Sequence, residues 1–262
     1  MKVLIISDGH GDLERLDALS PVAVSCDFVL FGGDFARFGR LDTAKPFLDR
    51  LSRLHEQVFA VTGNCDAPDF RDEVDQRGMS VEGSLSFFSG LLLAGSGGGA
   101  RHRGVTPNER DDEDLAADLR LAAGSAEEAD VIEYGESETE DAGAGDAGLT
   151  MATEASRGAE GEEPALRDNL VVIAHHPPAN TLLDLLPGGA HAGSPSIRAF
   201  LEAERPLLAV SGHIHEGRAI DTLGETTLVN PGPLCDGYYA VAEITGGKNG
   251  PFKVASVSLE RL

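Results

Sequence analysis

Five short apolar runs, each ending abruptly in a polar loop, constrain this chain more than any other feature. Residues 3–6 run into Ser7-Asp8-Gly9-His10, Phe28–Phe31 into Gly32-Gly33-Asp34, and residues 58–61 into Thr62-Gly63-Asn64-Cys65-Asp66. Farther on, Leu170–Ala174 runs into His175-His176-Pro177-Pro178, and residues 207–210 into Ser211-Gly212-His213-Ile214-His215. Runs of four or five residues rich in Val, Ile and Phe are too short for helices and read as buried strands. Between them lie helical stretches: 13–19 with Asp12 as N-cap, 46–55, an acidic helix over 109–123, and 196–203 following Pro195. Strands alternating with helices predict a parallel or mixed sheet. A hairpin is expected over Leu85–Phe88 and 91–94. The last third (219–223, 226–229, 238–244 and 252–259) reads as antiparallel strands around glycine turns.

Charge narrows the classes of partner. The 262 residues carry 44 acidic and 21 basic side chains, a net −23, so recruitment by nucleic acid or an anionic membrane is not expected. No apolar run approaches the roughly 18 residues of a membrane span. The N-terminus does not read as a signal peptide. Cys26, Cys65 and Cys235 are few and widely spaced, which fits reduced thiols in a cytoplasm rather than a disulfide framework. The chain reads as a single domain, 1–262, interrupted by an acidic, low-complexity, flexible insertion at 124–168. Fourteen acids and two arginines give that tract −12 of the total −23.

All five polar loops follow the carboxyl end of a strand, the edge where α/β sheets bind ligands and where residues distant in sequence converge. Asp8, His10, Asp34, Asn64, His175, His213 and His215 would meet there. Two carboxylates, a carboxamide oxygen and four imidazoles suit divalent Mn first, with Fe, Ni, Zn or Co also accommodated, and suit calcium poorly. On extended backbone, the i and i+2 rings of His213 and His215 would project to one side.

The ordered set D-x-H, G-D, G-N-x-D, His and G-H-x-H resembles the calcineurin-like metallophosphoesterase superfamily, over nearly the whole chain outside 124–168. Asn230-Pro231-Gly232 is similar to the small prokaryotic phosphodiesterase branch of it. The resemblance implies a four-layer αββα sandwich of two mixed sheets. It also implies two divalent metal ions. Asp8, His10, Asp34 and His215 would hold one ion, and Asp34, Asn64, His175 and His213 the other, with Asp34 bridging. The implied activity is hydrolysis of a small phosphate ester, a diester in preference to a monoester, by a metal-bridging hydroxide that Asp34, Asn64 and His175 help to position. A protein-binding scaffold of the same fold is the alternative, and it would be marked by lost ligand residues. A nuclease of this fold would carry an added basic region.

Many members of the superfamily have histidine after Gly-Asn, where it protonates the leaving oxygen. Here Cys65 takes that place, as is frequent in the small branch. A thiol of ordinary pKa near 8.5 is a poorer general acid than imidazolium, so leaving groups that need little protonation, such as phenolates, are expected to react best. The other reading of Cys65 is a packed filler. Arg101 and Arg103, after the glycine-rich loop 95–100, are either substrate-phosphate contacts or surface cations. His176 reads as support for His175, and Asp66 as a ligand-orienting group or a cap. His55 and His191 receive no role, although His191 sits in a glycine-rich loop.

Only four of the basic residues are lysine, and excess acid with little lysine matches proteins of a salt-filled cytoplasm. Molar salt shrinks the screening length to about 3 Å and removes most self-repulsion. Dialysis from molar to dilute salt should therefore cost folded signal in circular dichroism; a fully retained signal would contradict the halophilic reading.

Overall fold

Alternate residues of the first strand serve two different cores. In the computed structural model, which describes residues 1–135, 169–247 and 250–262, β1 (Lys2–Ile6) sends Val3 and Ile5 into one hydrophobic cluster and Leu4 and Ile6 into another. A strand buried on both faces needs a layer on each side.

The chain continues through α1 (Leu13–Ala18), α2 (Ser20–Ala23), β2 (Phe28–Phe31), α3 (Ala44–Leu54), β3 (Val58–Ala60) and α4 (Phe70–Asp75). Next come β4 (Leu85–Phe88), β5 (Leu91–Ser96), β6 (Gly99–Ala100), β7 (Glu109–Arg110) and α5 (Asp112–Gly135). The remainder is β8 (Leu170–Ala174), α6 (Pro195–Glu204), β9 (Leu208–Val210), β10 (Ala219–Leu223), β11 (Thr226–Asn230), β12 (Tyr238–Gly247) and β13 (Gly250–Arg261). One sheet has the order β13-β12-β1-β2-β3, with β1, β2 and β3 parallel and β12 antiparallel to β1. The other has the order β10-β11-β9-β8-β5-β4, parallel in its four central strands with antiparallel edges.

Ile5, Phe28 and Leu30 of the first sheet pack on Leu93, Ile173 and Val210 of the second. Outside the first sheet, Leu16, Phe47, Leu51 and Val74 of α1, α3 and α4 cover Leu4, Val29 and Phe31. Outside the second, Leu115 and Leu119 of α5 and Ile197 and Leu201 of α6 cover Val172, Ala209 and Leu228. The architecture is the expected four-layer αββα sandwich.

Local chemistry sets the element ends. The Asp12 carboxylate accepts the Arg15 N–H at 3.0 Å, the N-cap expected for α1. Ser194 caps α6 by accepting the Ile197 N–H at 2.9 Å. The expected acidic helix differs at both ends. Residues 109 and 110 pair as β7 with β6, and the helix starts only at Asp112, whose carboxylate accepts Ser194 Oγ–H at 2.5 Å and Ser196 N–H at 3.1 Å. It then extends to Gly135 and so takes in residues 124–135 of the tract expected as an insertion. Once buried Leu115, Leu119 and Ala122 have anchored a helix, propagation through alanine and glutamate is cheap. The rest of that tract, 136–168, lies outside the described residues.

The carboxyl ends of β1, β2, β3, β8 and β9 share one edge, and hydrogen bonds sew their loops together. Asp8 N–H donates to the Gly33 carbonyl at 2.9 Å, His10 N–H to the Asp34 carbonyl at 2.9 Å and Gly212 N–H to the His175 carbonyl at 3.0 Å. Among the described residues, no helix is long and apolar enough to cross a membrane.

Candidate metal centre

Asp8 and Asp34 are 1% and 2% exposed, and among the described residues neither makes an ion pair with lysine or arginine. Burying a carboxylate without a cation is costly. What surrounds them instead is imidazole: His10 Nε2 lies 3.8 Å from Asp34 Oδ2, His175 Nε2 3.6 Å from Asp34 Oδ1, and His215 Nε2 3.4 Å from Asp8 Oδ1.

Outer hydrogen bonds fix how two of these rings face. The Nδ1–H of His10 donates to the Ala36 carbonyl at 3.0 Å, and that of His175 to the Gly32 carbonyl at 2.7 Å. A carbonyl only accepts, so each neutral ring turns a bare Nε2 lone pair inward. His175 Nε2 then meets Asn64 Oδ1 at 2.9 Å, and His10 Nε2 meets His215 Nε2 at 3.3 Å. His213 Nδ1 lies 2.7 Å from the same Asn64 oxygen. The neutral His175 Nε2 and the Asn64 Oδ1 are both acceptors, so their close approach is repulsive unless a cation sits between them. Potential ligand atoms of Asp8, His10 and His215 lie within 4.8 Å of one another, as do those of Asp8, Asp34 and His175. The donor set fits divalent cations of the Mn to Zn series, with outer hydrogen bonds already orienting the rings.

The backbone is bent to make this possible. Asp8, His10, Asp34 and His213 have φ of 53°, 46°, 61° and 65°, a region non-glycine residues rarely occupy and one that clusters at functional sites. Gly63 is required by space: a Cβ there would overlap the Asp34 carboxylate. The Gly-His-Ile-His segment is consequently not the extended pair expected. His213 is left-handed, with its N–H donating to Asp8 Oδ1 at 3.1 Å, and His215 opens a 3₁₀ turn. The rings therefore part, His213 toward Asn64 and His215 toward Asp8 and His10. Asn230 steadies this loop by donating from Nδ2 to the Ile214 carbonyl at 2.9 Å.

Electrostatics follow the packing. Burial raises the pKa of Asp8, but the His215 hydrogen bond, together with the attraction that the neighbouring imidazoles exert when protonated, outweighs it and holds the carboxyl well below the usual range. Burial with the neighbouring His176 and His175 keeps His213 neutral to well below its ordinary value. Burial and then the Asp34 charge push the Cys65 thiol far up; its N–H donates to Asp34 Oδ1 at 2.8 Å. Asp66, lifted to about 7 by burial and by Asp34, joins the β2 and β3 loops. Its carboxylate accepts N–H bonds from Phe35 at 3.2 Å, Ala36 at 2.7 Å and Gly63 at 2.7 Å.

The calcineurin-like phosphoesterase family model matches residues 1–217, which include all seven converging residues. The chain belongs to that family. Its members hydrolyse phosphate esters with the help of metal ions. An uncharacterized protein of Methanocaldococcus jannaschii is 26% identical over 239 residues, 89% of this chain and 88% of its own. Among solved structures, a Thermus thermophilus protein superposes with a TM-score of 0.60 at 18% identity, covering 92% of each chain. A Staphylococcus aureus structure described as a putative 5'-nucleotidase in complex with alpha-ketoglutarate gives 0.59 at 12% identity, over 99% of this chain and 54% of its own. Identities this low speak for the shared fold.

Cavities flank the phosphoesterase centre. One of about 450 Å³ is lined by His10, Asp12, Arg37, Phe38 and Cys235. The other, about 560 Å³, runs from Asn64 and His213 past Arg101, His102 and Glu109 to His176 and His191. Arg101 is tied to Asp111 at 2.8 Å, and Arg103 is exposed and is not part of either wall. Arg37 was not singled out in the sequence. Its guanidinium makes no ion pair among the described residues, and its place three residues after Asp34 was the available signal. Glu82 is buried and accepts the Thr62 N–H at 2.5 Å, bracing the loop before Asn64; nothing in its sequence neighbourhood announces that.

One carboxylate gathers the amides of residues 102–106. Glu109 accepts N–H bonds from His102 at 2.9 Å, Gly104 at 2.8 Å, Val105 at 2.9 Å and Thr106 at 3.2 Å, which lower its pKa from 4.5 to about 2. A depressed carboxylate stabilises the loop above its unfolded pKa and stops doing so as pH falls through about 2. At pH 4 these amides should remain protected from hydrogen exchange in the wild type and lose roughly tenfold in Glu109→Gln; equal protection would contradict that role.

Proposed function

We propose that this chain is a dinuclear phosphodiesterase. In this reading Asp8, His10, Asp34 and His215 hold one divalent cation and Asp34, Asn64, His175 and His213 the other, with Mn²⁺ the first choice. When bound, such a pair supplies a hydroxide at neutral pH and neutralises the phosphoryl oxygens in in-line displacement. Using two carboxylates and five neutral donors leaves the centre positive, which draws in an anionic ester despite the chain's −23.

The protein's own groups do the positioning. The Nδ1–H bonds of His10 and His175 to backbone carbonyls fix their rings before any ligand arrives. Asp66 locks the Asp34 loop to the Asn64 loop. Arg37 on one side and Arg101 on the other can meet non-reacting phosphate oxygens.

The observation that supports the preference for diesters is the pair of cavities, about 450 and 560 Å³, that reach different members of the cluster, one at His10 and the other at Asn64 and His213. A diester places a substituent on each side of phosphorus, whereas a monoester needs one. A non-catalytic scaffold is disfavoured because none of the seven polar residues is missing.

With Mn²⁺, bis(p-nitrophenyl) phosphate should be cleaved faster than p-nitrophenyl phosphate. Asp34→Ala and His175→Ala should each lose more than the roughly 10- to 100-fold typical of an outer-shell partner. A faster monoester reaction would overturn the diester preference, and unimpaired variants would overturn the dinuclear assignment.

A further inference from the structure

The residue that succeeds Gly-Asn offers no acid to the larger cavity. Cys65 is 5% exposed and does not line it. A different side chain stands in its wall with the hallmarks of a held proton donor. His191 is on the loop between β8 and α6, and its Nδ1–H donates to Asp184 Oδ1 at 2.7 Å. Asp184 is fully buried, and its remaining capacity is consumed by N–H groups of Asn180 at 3.0 Å, Thr181 at 2.8 Å and Gly193 at 2.9 Å.

The loop itself is closed. Leu185 and His191 form an antiparallel bridge, Leu186 N–H donates to the Ala190 carbonyl at 2.8 Å and Ala192 N–H to the Asp184 carbonyl at 3.1 Å. The ring is thus anchored through Nδ1 to a rigid carboxylate, its Nε2 has no hydrogen-bond partner among the described residues, and the residue lines the cavity that also holds Asn64 and His213. Its side chain is 38% exposed, so it can exchange protons with solvent. The other titratable or charged groups on this wall are Arg101, His102, Glu109, His176 and His213. Arg101 is paired with Asp111, Glu109 is occupied by loop amides, and His176 is buried with its Nδ1 3.3 Å from the Ala100 amide. Of the described residues on this wall, His191 alone combines a carboxylate-anchored nitrogen with an exposed edge.

We propose that His191, oriented by Asp184, is the general acid that protonates the leaving alkoxide. This rests on the hydrolytic reading above. As the bond from phosphorus to the leaving oxygen breaks, its electron pair stays on that oxygen and takes the proton from Nε2, giving a neutral alcohol. His191 is left neutral, with Nδ1–H still on Asp184. One water is consumed: its hydroxyl goes to phosphorus and its other proton to solvent, from which Nε2 is recharged. The substrate class then extends from aryl esters to diesters with alkyl or sugar alcohols as leaving groups, which need such a proton.

The test compares His191→Gln with the wild type on two Mn²⁺-supported diesters, one leaving p-nitrophenolate and one leaving a primary alkoxide. General acid catalysis contributes roughly 10²- to 10⁴-fold, so the alkyl ester should slow by that factor while the p-nitrophenyl ester changes less than about threefold. His102→Gln, on the same wall, should leave the ratio unchanged, and imidazole should restore alkyl turnover to His191→Ala. A second readout is independent of turnover. Inorganic phosphate, whose fourth oxygen occupies the leaving position, should shift the His191 Nε2 resonance in ¹⁵N spectra of the metal-loaded protein. Equal losses on both esters, no loss on either, no rescue, or an unmoved resonance would each overturn the assignment. A wild type that cleaves neither ester, with phosphate still shifting His191, would overturn the hydrolytic reading rather than the placement of the ring.

Discussion

Two carboxylates buried without a lysine or arginine partner set the terms for everything around them. Asp8 and Asp34 sit at the ends of parallel strands, under loops that exclude water, where an unpaired negative charge is expensive. The chain answers with imidazoles and a carboxamide, and where His175 Nε2 meets Asn64 Oδ1 two lone pairs face each other, a contact that becomes favourable around a cation. The sandwich makes this possible, because ordered strands hold the loops in backbone conformations that a mobile chain would abandon. Four of the converging residues have positive φ, and a Cβ at Gly63 could not coexist with Asp34.

Outside the centre, most of the molecule works to hold those loops still. Phe31, Phe35 and Phe47 pack ring to ring beneath the β1 and β2 loops, with centroids 4.4 to 6.1 Å apart. Asp66 and Glu82, both buried, satisfy backbone N–H groups of the loops after β2 and β3. Removing the Asp66 carboxylate would leave three buried N–H donors without partners, a cost of about 1–3 kcal/mol for each. Rigidity of this kind is what positions an ester for in-line attack.

The strands and the converging residues were legible because both depend on local pattern. A four-residue run of Val, Ile and Phe followed by Asp, Asn or His marks a strand and its polar end in the same few positions. What sequence did not reveal depends on contacts across long separations. The His213 and His215 rings part because Asp8, about two hundred residues earlier, captures the His213 amide and turns its backbone left-handed. Asp184 and His191 are ordinary loop residues until the closed turn between them brings the carboxylate to the ring. The reach of α5 to Gly135 follows from its anchors, Leu115 and Leu119, packing on β8, contacts that composition does not show.

The most direct measurement is anomalous scattering from crystals of the chain loaded with Mn²⁺. Two peaks roughly 3.5–4 Å apart are predicted, one among Asp8, His10, Asp34 and His215 and the other among Asp34, Asn64, His175 and His213. A single peak, peaks elsewhere on the surface, or none in a folded and fully loaded sample would contradict the two-cation centre.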